Sequence, residues 1–271
     1  MQALLSHPAV QAGIAPLIVA LVIAGIGHPL RLSGLAAAGG FLAAVYLIGN
    51  FAFEPLTATR KIVILGAIAP LVGLLADLAF KPTRMAGVVL GALFGLGAVW
   101  AFWTVLAQKP LPQAFLHGGA VAFFVMWVVA FTMTLYADPV RAGAAGIGLG
   151  FGAGIGSVIG ASALIGQYGI ALGAASGGFV LLVMIAGNRL SAGSTLALTI
   201  SVVAALLALG AVLLAKFPWY AAALLGLVPL AVRLPVPQAN PAVQTVVASI
   251  YSVAVAAGAC ALAWTAARAG S

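Results

Sequence analysis

Apolar runs of about twenty residues follow one another along almost the whole chain, separated only by short clusters of proline, charge and amide side chains. A helix rising 1.5 Å per residue needs about 20 apolar residues to cross a hydrocarbon core of about 30 Å. In lipid every backbone N–H and C=O must be satisfied within the protein, and a helix does this locally. Strands of a transmembrane barrel would instead alternate polar and apolar in segments of about ten residues, and the runs here are continuous. Composition agrees. Only 5% of the 271 residues are charged and 65% are hydrophobic, against roughly 25% charged in an ordinary soluble domain. Eleven Lys and Arg with three Asp and Glu cannot cover the outside of a water-soluble fold of this size, so the outer surface faces lipid. The chain reads as an all-α, polytopic integral membrane protein, expected in a bacterial-type inner (plasma) membrane as one helical domain over residues 1–271.

Splitting at charges, prolines and polar clusters predicts about ten transmembrane helices, with nine or eleven also compatible. They run over Pro8 to Gly27, Ser33 to Phe53, Ile62 to Phe80, Met85 to Gln108 and Ala114 to Tyr136 in the first half. In the second they run over Val140 to Gly166, Ile170 to Asn188, Ser194 to Leu214, Trp219 to Leu234 and Ala242 to Ala267. Met1 to His7 lacks the positive region of a secretory signal, so the first run is expected to remain as a helix. Lys and Arg divide about five to six between the two sides, and the positive-inside rule assigns no direction. Gly49-Asn50 closes the second span and Gly187-Asn188 the seventh, each shortly before a Thr- or Ser-rich stretch. That pairing suggests half-repeats 1–138 and 139–271 in a five-plus-five inverted arrangement, since an odd number of spans reverses orientation. By plan alone such a chain looks like the drug/metabolite transporters, although no signature motif accompanies the likeness.

The densest local pattern is glycine in the sixth span, at Gly146, Gly148, Gly150, Gly152, Gly154, Gly156 and Gly160. Spacing of four places Gly148, Gly152, Gly156 and Gly160 on one face, where another helix can approach closely. This run resembles the inner helix of the proton-translocating ring subunit of rotary ATP synthases. That subunit carries a carboxylate in its following helix, and the seventh span here has none. The pattern is therefore expected to serve helix packing, within the chain, in a homo-oligomer or against other membrane subunits.

An ionisable group in a membrane span is a functional candidate, and the chain has three carboxylates. Asp138, followed by Pro139 and Arg141, is expected to cap a helix. Asp77 stands four residues before Lys81, a spacing for an ion pair at the membrane edge or for a proton or cation site. Glu54 lies near Arg60 and Lys61, as an interfacial cap or ion pair or as part of a site. With the amides at span ends, the candidate substrate- or ion-binding residues are Asn50, Glu54, Asp77, Gln167 and Asn188. Serines and threonines within the spans can serve a solute or join helices. Pro16, Pro70 and Pro229 fall inside spans, each removing a backbone donor. Trp100 and Trp103 share a helix face, suited to stacking on a flat ligand or to packing against neighbours and lipid.

Several functions are set aside. Basic residues occur singly or in pairs with no patch for nucleic acid. One cysteine, Cys260, forms neither a disulfide within the chain nor a multi-cysteine metal site. Only His7, His28 and His117 exist, without an H-E-x-x-H motif or a convincing haem pair, and there is no P-loop or nucleophile elbow. No metal or cofactor is expected. The favoured expectation is a secondary transporter or permease for a small solute. The alternative is a non-catalytic subunit of a larger membrane complex. A lipid-modifying enzyme comes third, needing Glu54, Arg60, Lys61 and Asp77 at one membrane face.

Overall fold

The computed structural model describes residues 7–49, 51, 54–79 and 83–269, apart from the side chain of Asn188. Helices account for the apolar runs. They are α1 (Ala15–Gly27, reached through a π turn over Val10–Ile14), α2 (Ala36–Gly49, after a 3-10 turn at Ser33–Leu35), α3 (Ala58–Ala79), α4 (Arg84–Leu106) and α5 (Leu111–Met133). The second half adds α6 (Pro139–Ile159), α7 (Ala163–Ala186), α8 (Gly193–Leu214), the short pair α9 (Trp219–Leu225) and α10 (Val228–Ala231), and α11 (Pro241–Ala269). Among the described residues eight helices are long and apolar enough to cross a membrane, while Ser33–Gly49 and Trp219–Ala231 are shorter apolar segments. The protein is a multi-pass helical membrane protein.

Helix ends follow local chemistry. Thr83 accepts a hydrogen bond from the Ala86 amide at 3.2 Å, capping α4. Asp138 accepts from the Arg141 amide at 3.0 Å with Pro139 next to it, which is the cap expected of that sequence. Of the three prolines within spans, only Pro229 interrupts its helix. Pro70 lies inside continuous α3, and Pro16 follows the π turn at the start of α1. Pro229 has no N–H to give the Leu225 carbonyl, and the helix stops at Leu225 before resuming at Val228. The Trp127 indole on α5 donates to the Gly226 carbonyl at that break, at 3.0 Å.

One boundary differs from expectation. Hydropathy predicts a sixth span from Val140 to Gly166, but α6 ends at Ile159 and α7 begins at Ala163. The tight turn between them puts Ala161 at φ 67. Gly160, Ala161 and Ser162 are small and nearly apolar, so hydropathy runs through the turn without a break.

Loops after α1, α3, α5, α7 and α10 gather at one end of the bundle, around Tyr136. Those after α2 and α6 meet at the other, near Tyr168, and the amide of Lys216 reaches the Gly160 carbonyl there at 2.9 Å. α8 runs through the middle, in contact with α2 to α7. Every residue from Ser194 to Ala211 is buried. Two of its hydroxyls are satisfied within the helix, Thr199 donating to the Thr195 carbonyl at 2.7 Å and Ser201 to that of Ala197 at 2.6 Å. Ser157 and Ser176 likewise return to the carbonyl four residues back. These side chains therefore neither bridge helices nor face a solute.

The glycines of α6 serve two faces. A Cβ on Gly148 would lie 2.7 Å from the Cβ of Ser252 on α11, and one on Gly156 2.5 Å from the Phe217 ring. On another side a Cβ on Gly150 would stand 2.6 Å from the Cα of Gly173 on α7. Gly152 and Gly160 are filled likewise, by Leu225 with Ala256 and by Phe217. The smooth face is thus occupied by the chain's own helices, and a partner would have to use a different surface. α6 packs most extensively on α7, then on α11 and α8, while α1 packs on α2 and α7.

Lys61 is buried near the start of α3 although it is a cation. Its ammonium donates to the Trp100 carbonyl at 3.2 Å and stands 4.8 Å from the centre of the Trp100 ring. Trp100 is therefore engaged with a cation of its own chain. Trp100→Leu should lower stability by about 1 kcal/mol through loss of this contact, measured as thermal unfolding in detergent. Repeated in a Lys61→Met background, the same change should cost clearly less. An equal cost in both backgrounds would remove the cation from the account.

Candidate functional site

The candidate residues that the structure describes do not converge. Asn50 lies outside the described residues, and Asn188 sits in the turn after α7, at the Tyr136 end. Gln167 is half-buried near the start of α7, toward the opposite end. Glu54 is exposed before α3, and among the described residues it makes no hydrogen bond or ion pair. The pairing considered for it is replaced by two others: Arg60 donates to the Pro55 carbonyl at 2.6 Å, and Lys61 turns to Trp100. About 30 Å of helix separates Glu54 from Asp77, since α3 lies between them. The cluster that a lipid-modifying enzyme would need does not form.

Asp77 has a role the sequence did not disclose. Lys81 lies outside the described residues, and the Asp77 carboxylate is spent on the start of α8. It accepts from the Ser194 amide at 2.6 Å, the Thr195 amide at 3.0 Å and the Thr195 hydroxyl at 2.8 Å. A carboxylate at a helix N-terminus satisfies orphan donors and opposes the positive end of the dipole. Gly193 precedes these donors at φ 66, and any Cβ there would collide with the carboxylate. Asp77 is a cap delivered from one helix to another.

What the Tyr136 end does assemble is arginine. A pocket of about 580 Å³ is lined by Arg31, Arg189, Asp77, Tyr136 and Thr195, among others. A neighbouring pocket of about 410 Å³ is lined by Arg84, Arg141, Arg233, Asp138, Thr83 and Thr134, and Tyr136 borders both. Arg141 is held by the Asp138 carboxylate at 3.3 Å and reaches toward the Arg233 carbonyl at 3.4 Å. Arg233 donates to the Thr134 hydroxyl and stands 5.6 Å from the centre of the Phe131 ring. Partial burial, and then the charges of Arg84 and Arg141, lower its pKa from the ordinary arginine value. Burial is the larger cause, and repulsion from the two like charges adds to it. Across the two pockets five arginines face two aspartates, and one of those aspartates is committed to α8.

No protein-family model, curated protein or solved structure matches this chain. Function therefore rests on the geometry alone. Among the described residues no group of three or more His, Cys, Asp or Glu is placed to hold a metal ion. Sequence reasoning missed the arginine cluster because its members come from three loops far apart in the chain. One signal was present: Arg84 and Arg141 follow odd-numbered apolar runs and Arg233 stands at the end of another, and alternating direction puts all such run ends at one side.

Proposed function

We propose that the chain is a secondary permease for a small solute, admitting it at the arginine-lined Tyr136 end. The observation that carries this reading is the interrupted ninth segment beside that pocket. The helix breaks between Leu225 and Val228, and its continuation leads within two residues to Arg233 at the pocket wall. Discontinuous membrane helices offer backbone polar groups and a hinge where permeases bind their solutes. With the bundle centre filled by α8, the reading requires α9 and α10 to move for passage.

Reconstitution into sealed proteoliposomes tests it. A panel of small anionic, neutral and cationic solutes should reveal saturable flux confined to one charge class, favouring anions. Pro229→Ala, which restores a donor for the Leu225 carbonyl, should slow that flux while leaving the fold intact. No protein-dependent flux for any solute would sink the permease reading.

A second reading, a subunit of a larger membrane assembly, is favoured by one feature. Between α1, α6, α7 and α11 runs an apolar groove bordered by Gly13, Ile147, Phe151, Gly177 and Val253. Co-purification with other membrane proteins in fixed ratio after mild extraction would favour this alternative; a chain that stays alone would not.

A further inference from the structure

We propose that the pocket formed by Arg84, Arg141 and Arg233 is a binding site for a phosphate group, carried either by a lipid headgroup or by a water-soluble phosphate. The assignment names the ligand class of the vestibule described above. Its place in transport rests on the permease reading, whereas binding itself does not.

Charge comes first. Three guanidiniums and the one carboxylate of Asp138 line this pocket, leaving two positive charges. A phosphomonoester carries about −1.5 to −2 at neutral pH, so it matches that excess. Geometry comes second. Guanidinium offers planar pairs of donors that fit tetrahedral oxyanions, where ammonium acts as a point charge. All three cations here are arginines. Arg141 is oriented by Asp138, Arg233 by the Thr134 hydroxyl and the Phe131 ring. Arg84, exposed at the first position of α4, makes no hydrogen bond or ion pair among the described residues, so its donors remain available. Backbone adds to the field. α4 and α6, of 23 and 21 residues, both begin at this pocket, with the positive ends of their dipoles toward it. Size comes last. A volume of about 410 Å³ is far larger than a halide needs and has room for phosphate with a substituent. The site lies at the end of the bundle, a position that both a headgroup and a dissolved anion can reach.

The test uses the full chain. In a zwitterionic detergent, inorganic phosphate is titrated by calorimetry against chloride at equal ionic strength. In parallel, nanodiscs of phosphatidylcholine with and without phosphatidic acid are used to load lipid, and the retained lipid is read by native mass spectrometry. Arg84→Gln and Arg233→Gln are compared with Lys216→Gln at the opposite end. Arg84→Gln removes no hydrogen bond or ion pair among the described residues, and it keeps the test valid should Arg233→Gln fold poorly. Saturable phosphate binding that weakens about tenfold or more in the arginine variants, and not in Lys216→Gln, assigns a soluble phosphate. Selective retention of phosphatidic acid, lost in the same variants, assigns a headgroup. If neither probe binds above its control, or if the arginine variants bind as the parent does, the proposal is overturned. Binding without any solute flux would keep the site and remove the permease. Flux of anions that is indifferent to these arginines would do the reverse.

Discussion

Gly150→Leu should prevent the bundle from assembling in a stable form. α6 and α7 meet through bare backbone: a Cβ on Gly150 would lie 2.6 Å from the Cα of Gly173, and one on Gly169 would lie 2.5 Å from the Cα of Gly154. These neighbours are main-chain atoms, so no side chain can swing aside. Forcing extra carbons into a packed interior costs about 1–3 kcal/mol, and more where backbone must separate. With total stability of about 5–15 kcal/mol, Gly150→Leu should cost several kcal/mol. The expected result is a collapse in the yield of monodisperse protein in detergent and a large drop in unfolding temperature. Gly119→Leu supplies the control, because a Cβ at Gly119 meets no atom within 4 Å. Equal tolerance of the two changes would refute the close α6–α7 crossing.

Asp77→Ala should produce the second largest effect. It strips three hydrogen bonds from the N-terminus of α8 and leaves the Ser194 and Thr195 amides without their acceptor. Hydrogen bonds to a charged group are worth about 1.5–3 kcal/mol and do not add fully when they share one acceptor. A loss of about 3 kcal/mol is expected, including the favourable dipole interaction. Asp77→Asn keeps one carbonyl acceptor but no charge, and should fall between the parent and Asp77→Ala. Thermal unfolding in detergent at neutral pH reads the order. A proton-coupling role for Asp77 would predict instead that Asp77→Asn retains full stability and loses only function.

The membrane class and nearly every helix were legible because they depend on hydropathy summed over a long window, which a turn or a single polar residue barely alters. Asp138 was legible too, since a cap is decided within four residues. Failures came where the deciding partner is remote. The acceptor role of Asp77 depends on Ser194 and Thr195, 117 and 118 residues along the chain, while local spacing pointed to Lys81. Spacing of four in α6 singled out Gly148, Gly152, Gly156 and Gly160, yet Gly150 makes a backbone crossing equally close. A repeat of two residues places glycines on both sides of a helix, and neighbours rather than periodicity select among them. Trp127 is a similar case: its indole partner, the Gly226 carbonyl, lies 99 residues along the chain at the helix interruption.

The enclosed position of α8 bears on how the protein is made. The innermost segment is the eighth to leave the ribosome, after the helices that will surround it have entered the bilayer. Until residues beyond 193 emerge, α3, α5 and α6 have no common wall to close upon, and Asp77 has no amides to receive. A chain whose translation stalls before residue 193 therefore lacks the Ser194 and Thr195 amides that Asp77 accepts from.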